Sequence, residues 1–183
     1  MSKAIVIREY GGPEVLREEQ IEIDEPDINE IFIRQTAIGL NYIDVYHRTG
    51  LYPIGALPQP LGTEAAGIVE AIGEGVTEVA IGDRIAYAPV LGAYTEGRVI
   101  PTEKLIKLPE NISDQTAAAM MLKGMTAAFL LRRTYHVKPG DPLLIMAAAG
   151  GVGQILSQWA KHIGAMVIGC VGSEEKAEMA KAC

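Results

Sequence analysis

The segment MAAAGGVGQI, residues 146–155, places three glycines within four positions, at Gly150, Gly151 and Gly153. A glycine weakens a regular element by about 0.5–1 kcal/mol relative to alanine, so a run of them points to a backbone that something must approach closely. The apolar run PLLIM precedes the glycines, and QILSQWAKHI and then MVIGCV follow them. Strand, glycine-rich turn, helix and strand in this order predict one βαβ unit of a doubly wound parallel sheet.

A glycine turn at this place in a βαβ unit is typical of a dinucleotide site. Missing side chains let a pyrophosphate reach the N–H groups that open the helix. We therefore expect Gly150, Gly151 and Val152 to contact a cofactor. The alternative is a tight turn with close helix packing and no ligand. The motif departs from the usual G-x-G-x-x-G spacing at Ala148, which stands where the first glycine would be.

The end of the second predicted strand indicates which dinucleotide would bind. An acidic residue about 20 positions after the glycines would bind a ribose 2′-hydroxyl, but the sequence there reads CVGSEEK. Gly172, a hydroxyl at Ser173 and an ammonium at Lys176 suit a 2′-phosphate, which favours NADPH over NADH. Alternatively, Ser173 caps the next helix and Lys176 is solvated, and Glu174 or Glu175 reaches a hydroxyl instead.

Composition restricts the class of protein. The chain has 183 residues, 49% of them apolar, and a net charge of −7. No basic cluster is longer than Arg132-Arg133, so nucleic acid is an unexpected partner. The sequence has no apolar run long enough for a membrane span, and the segment MSKAIVIREYGG lacks the long apolar region of a signal peptide. We expect a cytoplasmic protein whose two cysteines, Cys170 and Cys183, are reduced.

The chain divides into two parts by pattern. Up to about residue 110, short apolar segments bounded by Gly, Pro or Asp predict an irregular β domain, interrupted by a helix in NYIDVYHRTG that stops at Gly50. After Pro109, Ser113 is the predicted N-cap of a long helical section with a break near Gly124. The predicted domains are residues 1–124 and 125–183.

Six segments carry a resemblance to a known family: GGPEVL, AIGLNYIDVYHRTGLYP, LGTEAAGIVEAIGEGV, GDRIAY, LKGMTA and AAAGGVG. In this order they resemble the quinone oxidoreductase branch of the medium-chain dehydrogenase/reductase superfamily, over the whole chain. The resemblance implies an α/β protein with a GroES-like β domain followed by the first βαβ part of a Rossmann sheet. It also implies NADPH as cofactor and quinones as substrates.

The family comparison also predicts that no metal is bound. Zinc-dependent members carry Cys, His and Cys ligands at the catalytic metal, and the matching positions here are Asn41, Thr63 and Lys123. None of these side chains replaces a thiolate or imidazole well. A quinone needs less polarisation than a ketone because its reduction gains aromaticity, so hydride or electron transfer can proceed without zinc.

The resemblance further implies which residues form the site. Those expected beside the nicotinamide half of the cofactor are Asn41, Tyr42, Ile43, Asp44, Tyr46, Lys123 and Thr126. Tyr46 and Tyr52 are candidate donors to, or stacking walls for, the quinone, although Tyr52 is equally compatible with packing under a helix. Lys123 is expected to supply positive charge in place of zinc.

The predicted Rossmann sheet has two strands, whereas a complete one has about six. We therefore expect an N-terminal fragment of a longer, homodimeric reductase. Two alternatives stay open: an alkene or enoyl reductase of the same superfamily, and a truncated polypeptide without catalytic activity.

Overall fold

The computed structural model describes all residues, 1–183, and the chain separates into two compact units. The first is Met1–Leu122 and the second is Lys123–Cys183. Each unit is described by itself below. No helix in either unit has the length and apolar character needed to cross a membrane.

The first unit contains two antiparallel sheets. Their strands are β1 (Ser2–Ile7), β2 (Arg17–Ile21), β3 (Glu30–Ile38), β4 (Gln59–Pro60), β5 (Ala65–Ile72), β6 (Arg84–Tyr87), β7 (Gly97–Pro101) and β8 (Leu105–Lys107). The small sheet has the order β2-β1-β4, and the large one has the order β7-β3-β5-β6-β8. The predicted irregular β domain is therefore present.

The core of the first unit follows from alternation along its strands. On β3, Ile31 and Ile33 are fully buried while the intervening Phe32 and the following Arg34 are not, because successive strand residues point to opposite faces. The buried face packs on Val69 of β5 and Ile85 of β6. This packing fixes the ends of β3 and β5, from which the candidate site is built.

Two predicted helix caps are present in the structure, one at the end of a helix and one at the start of another. Helix α1 (Tyr42–Thr49) stops at Gly50, whose φ of 77° lies in the left-handed region that glycine adopts most easily. Helix α2 (Asp114–Phe129) is capped by Ser113, whose Oγ accepts the Thr116 N–H at 3.1 Å. The predicted break near Gly124 is wrong, because the strong helix formers around this glycine keep the helix continuous.

The second unit contains the predicted βαβ unit. After a π-helical turn (Leu130–Thr134) come β9 (Pro142–Met146), α3 (Gly151–Ile163), β10 (Met166–Cys170) and α4 (Glu174–Lys181). Strands β9 and β10 are parallel, with Leu143 opposite Val167. Trp159 and Ile163 of α3 lie one turn apart and pack on the apolar cluster beside these strands, so this helix has an apolar face.

Candidate functional site

In the first unit the site centres on Asn41, which immediately precedes α1. Its backbone N–H donates to Asp44 Oδ2 at 2.9 Å, and its side-chain Nδ2 donates to Glu64 Oε1 at 2.6 Å. Glu64 is fully buried and Asp44 is 5% exposed. Because both carboxylates have little access to water, the Asp44 bond fixes the Asn41 backbone and the Glu64 bond holds its side-chain amide in one orientation.

Asp44 joins α1 to the β domain. Its Oδ2 accepts the Tyr94 hydroxyl at 2.8 Å, and its Oδ1 accepts the Thr63 hydroxyl at 3.3 Å. Burial raises the pKa of Tyr94 well above its ordinary value, and the hydrogen bond to Asp44 raises it further. Tyr94 therefore stays a neutral donor across the physiological range.

Glu64 connects strand and helix within the same unit. Besides the Asn41 amide, it accepts the Leu122 N–H at 2.6 Å through Oε2, and its own carbonyl accepts the Gly39 N–H at 3.0 Å. A Cβ at Gly39 would lie 2.1 Å from the Ala118 carbonyl oxygen and 2.3 Å from Glu64 Oε1, so only glycine fits there. The backbone just before Asn41 is thus closely packed.

Three tyrosines form an aromatic cluster on and beside α1. The rings of Tyr42 and Tyr46 meet edge to face with centroids 5.2 Å apart, and those of Tyr46 and Tyr52 are tilted at 5.1 Å. Tyr42 is 72% exposed and Tyr52 is 51% exposed. The structure therefore brings the predicted Tyr46 and Tyr52 together, and it leaves much of the cluster open to a flat partner.

The remaining predicted residue on α1 is Ile43, which is half-buried. His47 lies on the same helix with a buried Nδ1 that has no hydrogen-bond partner. Burial lowers the pKa of His47, and the Asp44 carboxylate opposes this effect. The imidazole is therefore neutral near pH 7, in agreement with a structural histidine.

In the second unit, the glycine turn lies between β9 and α3. The Gly150 N–H donates to the Ala147 carbonyl at 2.8 Å, and the Gln154 N–H donates to the Gly150 carbonyl at 2.9 Å as the first helical bond. The N–H groups of residues 151–153 precede that bond and so have no acceptor within the helix. With the helix dipole, they suit an anion such as a phosphate.

The three glycines of the turn differ in what surrounds them. A Cβ at Gly153 would lie 2.3 Å from the Ala147 carbonyl oxygen and 2.8 Å from Ala148 Cα, so this glycine permits close packing of α3 on the turn. A Cβ at Gly150 would meet only Ala147, at 3.0 Å. A Cβ at Gly151 would lie 2.9 Å from Lys123 Cδ. The alternative of close helix packing therefore explains Gly153, but not the whole run.

Lys123 and Thr126 lie three residues apart on α2, so they are neighbours on one side of that helix. Both are half-buried. The stem of Lys123 crosses the start of α3, since its Cδ and Cε would lie 2.9 and 3.0 Å from a Cβ added at Gly151. Lys123 therefore lies beside the glycine turn. Residue spacing in the sequence does not predict this contact.

The segment after β10 lies at the same edge of the sheet as the glycine turn, since the Ala148 N–H donates to the Cys170 carbonyl at 3.1 Å. Ser173 caps α4, with its Oγ accepting the Lys176 N–H at 3.3 Å. Gly172 faces open space, and both Ser173 and Lys176 are exposed. The alternative role of Ser173 as a helix cap is therefore present, and both residues are accessible to solvent.

Sequence reasoning missed two residues of the first unit. Neither Glu64 nor Tyr94 is among the site residues that the sequence predicts. A signal for Glu64 was available, because a carboxylate directly before the apolar run AAGIV is expected to be buried and therefore hydrogen-bonded. No local pattern indicates Tyr94, whose partner Asp44 is 50 positions away.

An irregular β domain followed by a glycine-turn βαβ unit is the domain order that the resemblance to the medium-chain dehydrogenase/reductase superfamily implies. Residues 27–110 match the family model of the alcohol dehydrogenase GroES-like domain. The chain is 51% identical over 182 residues to a quinone oxidoreductase of Pseudomonas aeruginosa, covering 99% of this chain and 56% of that protein. It is 48% identical over 187 residues to a 2-haloacrylate reductase of a Burkholderia species, covering 99% and 56%.

Solved structures agree with these relatives. The crystal structure of Escherichia coli quinone oxidoreductase complexed with NADPH matches with a TM-score of 0.96 at 49% identity, over 98% of this chain and 56% of that one. Over nearly its whole length the chain is thus similar to quinone oxidoreductases, and residues 27–110 match an alcohol dehydrogenase GroES-like domain. It spans about 56% of the length of the curated relatives it matches.

Proposed function

We propose that this chain forms the NADPH-binding and quinone-facing part of a zinc-independent quinone oxidoreductase. The observation that carries the proposal is the glycine turn at the start of α3, with its free helical N–H groups, in a chain 51% identical to a quinone oxidoreductase. In the proposed arrangement, residues 1–124 form the GroES-like catalytic domain and residues 125–183 part of the dinucleotide domain. The E. coli relative whose structure contains NADPH supports this cofactor.

The cofactor contacts proposed in the second unit follow the charge of NADPH. The N–H groups of Gly151 and Val152 would hold the pyrophosphate at the helix start. Beside Gly172, which leaves open space, Ser173 and Lys176 would hold the 2′-phosphate. When bound, NADPH supplies a hydride or electrons to an acceptor. Lys123 and Thr126 are proposed to lie towards the reacting end, where Lys123 contributes positive charge.

The contacts proposed in the first unit order the nicotinamide and the quinone. Asn41, Tyr42 and Ile43 would line the nicotinamide, and Asp44 would act through Asn41, because its own carboxylate is buried and already bonded. Tyr46 and Tyr52 would stack on the quinone or donate to its oxygens. No side chain is required as general acid, because the reduced quinone can take its proton from water.

The absence of a catalytic zinc is part of the proposal. Asn41 Nδ2 already donates to Glu64, and the Thr63 hydroxyl already donates to Asp44, so both groups act as donors within the protein. Neither offers the thiolate or imidazole electron pair that zinc prefers. We also propose a cytoplasmic location and a homodimer for the longer protein. Cell fractionation and size-exclusion chromatography test these two points.

The purified chain is tested by following NADPH oxidation with benzoquinone as acceptor. We expect quinone-dependent oxidation that falls at least about tenfold in Tyr46→Leu, because ring stacking and orientation contribute to the barrier. The matched control is Tyr135→Leu, since Tyr135 is also an exposed tyrosine but lies outside the aromatic cluster. Oxidation that is independent of quinone, or equal effects of the two substitutions, would contradict the proposal.

A second candidate function is reduction of an activated alkene. It is favoured by the 48% identity to the 2-haloacrylate reductase. The same assay with 2-chloroacrylate separates the two, because the preferred substrate gives the higher kcat/KM. A folded chain that binds NADPH and reduces neither substrate would favour the third possibility, a polypeptide without catalytic activity of its own.

A further inference from the structure

The glycine turn contains one residue whose missing side chain faces another side chain. At Gly151, an added Cβ would lie 2.9 Å from Lys123 Cδ and 3.0 Å from Lys123 Cε, and the next nearest atom, Lys123 Cγ, would be 3.9 Å away. These three nearest atoms all belong to the Lys123 side chain. The lysine stem therefore occupies the space that a side chain at Gly151 would fill.

We infer that Gly151 is a positioning residue for Lys123: its missing side chain opens the path by which the lysine stem crosses the first turn of α3. The ammonium is bonded to Cε, so it is carried to the end of the helix where the N–H groups of residues 151–153 lack helical acceptors. That end bears the positive part of the helix dipole. The helix start therefore does not attract the ammonium by its dipole, and the open space at Gly151 is what admits the lysine stem to it.

The kind of neighbour at Gly151 decides what a substitution does. At Gly153 the neighbours are backbone atoms, which cannot move without distorting the turn. At Gly151 the neighbours are the far end of a flexible side chain, which can rotate away. Gly151→Ala should therefore leave the fold intact and displace Lys123. The consequence for the cofactor rests on the proposed function, in which Lys123 lies near bound NADPH.

Competitive acetylation of the intact chain tests the position of the lysine without any ligand. Mass spectrometry gives the labelling rate of Lys123 relative to the exposed Lys138 in the same digest. In Gly151→Ala we expect this ratio to change by at least about 2-fold, the lower end of coupling between residues in contact. The matched control is Gly55→Ala, because no atom lies within 4 Å of a Cβ at Gly55. An unchanged ratio in a folded Gly151→Ala chain overturns the inference.

NADPH titration of four chains tests the consequence: the unsubstituted chain, Gly151→Ala, Lys123→Ala and the double variant. We expect Gly151→Ala to weaken NADPH binding by at least about 3-fold in the chain that retains Lys123. In the Lys123→Ala background the same substitution should weaken binding by less than about 2-fold, as for coupled residues in contact. An equal loss in both backgrounds means that the glycine serves the phosphate directly, which overturns the role for Lys123. If the unsubstituted chain binds no NADPH, the proposed function fails for this chain, while the acetylation ratio still decides the inference.

Discussion

Replacing Gly153 by alanine should destabilise the chain, although alanine is the better helix former. On propensity alone, Gly→Ala inside a helix stabilises by about 1 kcal/mol. Here the new Cβ would lie 2.3 Å from the Ala147 carbonyl oxygen and 2.8 Å from both Cα and O of Ala148. These are backbone atoms of the turn, so α3 or the turn must shift.

The size of the effect follows from the balance of these two terms. Overpacking a tight site costs about 3 kcal/mol at the upper end of its usual range, and a contact of 2.3 Å with backbone belongs there. Subtracting the gain in propensity leaves a net loss of about 2 kcal/mol. For a chain of this size, that loss lowers the midpoint of thermal unfolding by about 4–8 °C.

Urea unfolding followed by tryptophan fluorescence measures this loss directly. The chain has a single tryptophan, Trp159, which lies in α3 itself, so the signal reports on the affected helix. The control is Gly172→Ala, which meets no atom within 4 Å and should change stability by less than about 0.5 kcal/mol. A Gly153→Ala chain as stable as the unsubstituted one would refute the packing argument.

Three further predictions concern the first unit and Lys123. Glu64→Ala should lower the free energy of unfolding by about 2–4 kcal/mol, because it removes the buried carboxylate that accepts the Asn41 amide and the Leu122 N–H; circular dichroism in urea checks this, with exposed Glu110→Ala as control, and a loss under about 1 kcal/mol would contradict it. Burial raises the pKa of Tyr87 from 10.0 to about 12, so the folded state holds this proton more tightly than the unfolded one. The resulting stabilisation is complete below pH 10 and is lost as the pH rises towards 12; Tyr87→Phe should flatten the curve of stability against pH in that window, and an unchanged slope would refute it. Lys123→Met should slow quinone reduction at saturating NADPH, and an unchanged rate would reject the proposed role of the lysine charge.

The βαβ unit could be predicted because its signals are local. The glycine run, the apolar face with Trp159 and Ile163, and the stop at Gly164 all lie within one short segment. Helix α1 could also be predicted, because Gly50 marks its C-terminal end. In both cases, glycine marks a backbone conformation or a close approach that other residues resist.

Three strands have no local signal in the sequence. The sequence of β2, REEQI, has charged residues on both faces, so it lacks the apolar alternation of a half-buried strand. Strands β4 and β8 have only two and three residues, too few for any periodicity. All three lie at the edge of their sheets, where pairing with one neighbour is enough to order them.

The network around Asn41 could be predicted only in part. Family resemblance indicated Asn41 and Asp44, but the bond between Asn41 and Glu64 joins residues 23 positions apart. The contact of Lys123 with the glycine turn likewise depends on how α2 and α3 pack within the second unit. Such contacts are set by tertiary packing, and no spacing rule in a single sequence encodes them.

The central claim is that this chain binds a dinucleotide and prefers the one with a 2′-phosphate. Fluorescence titration of the purified chain with NADPH and, separately, with NADH tests it most directly. We expect NADPH to bind at least about tenfold more tightly, and Lys176→Met to remove most of that difference while NADH binding stays the same, because only the 2′-phosphate contact is lost. Equal affinity for the two cofactors, or a folded chain that binds neither, would contradict the account.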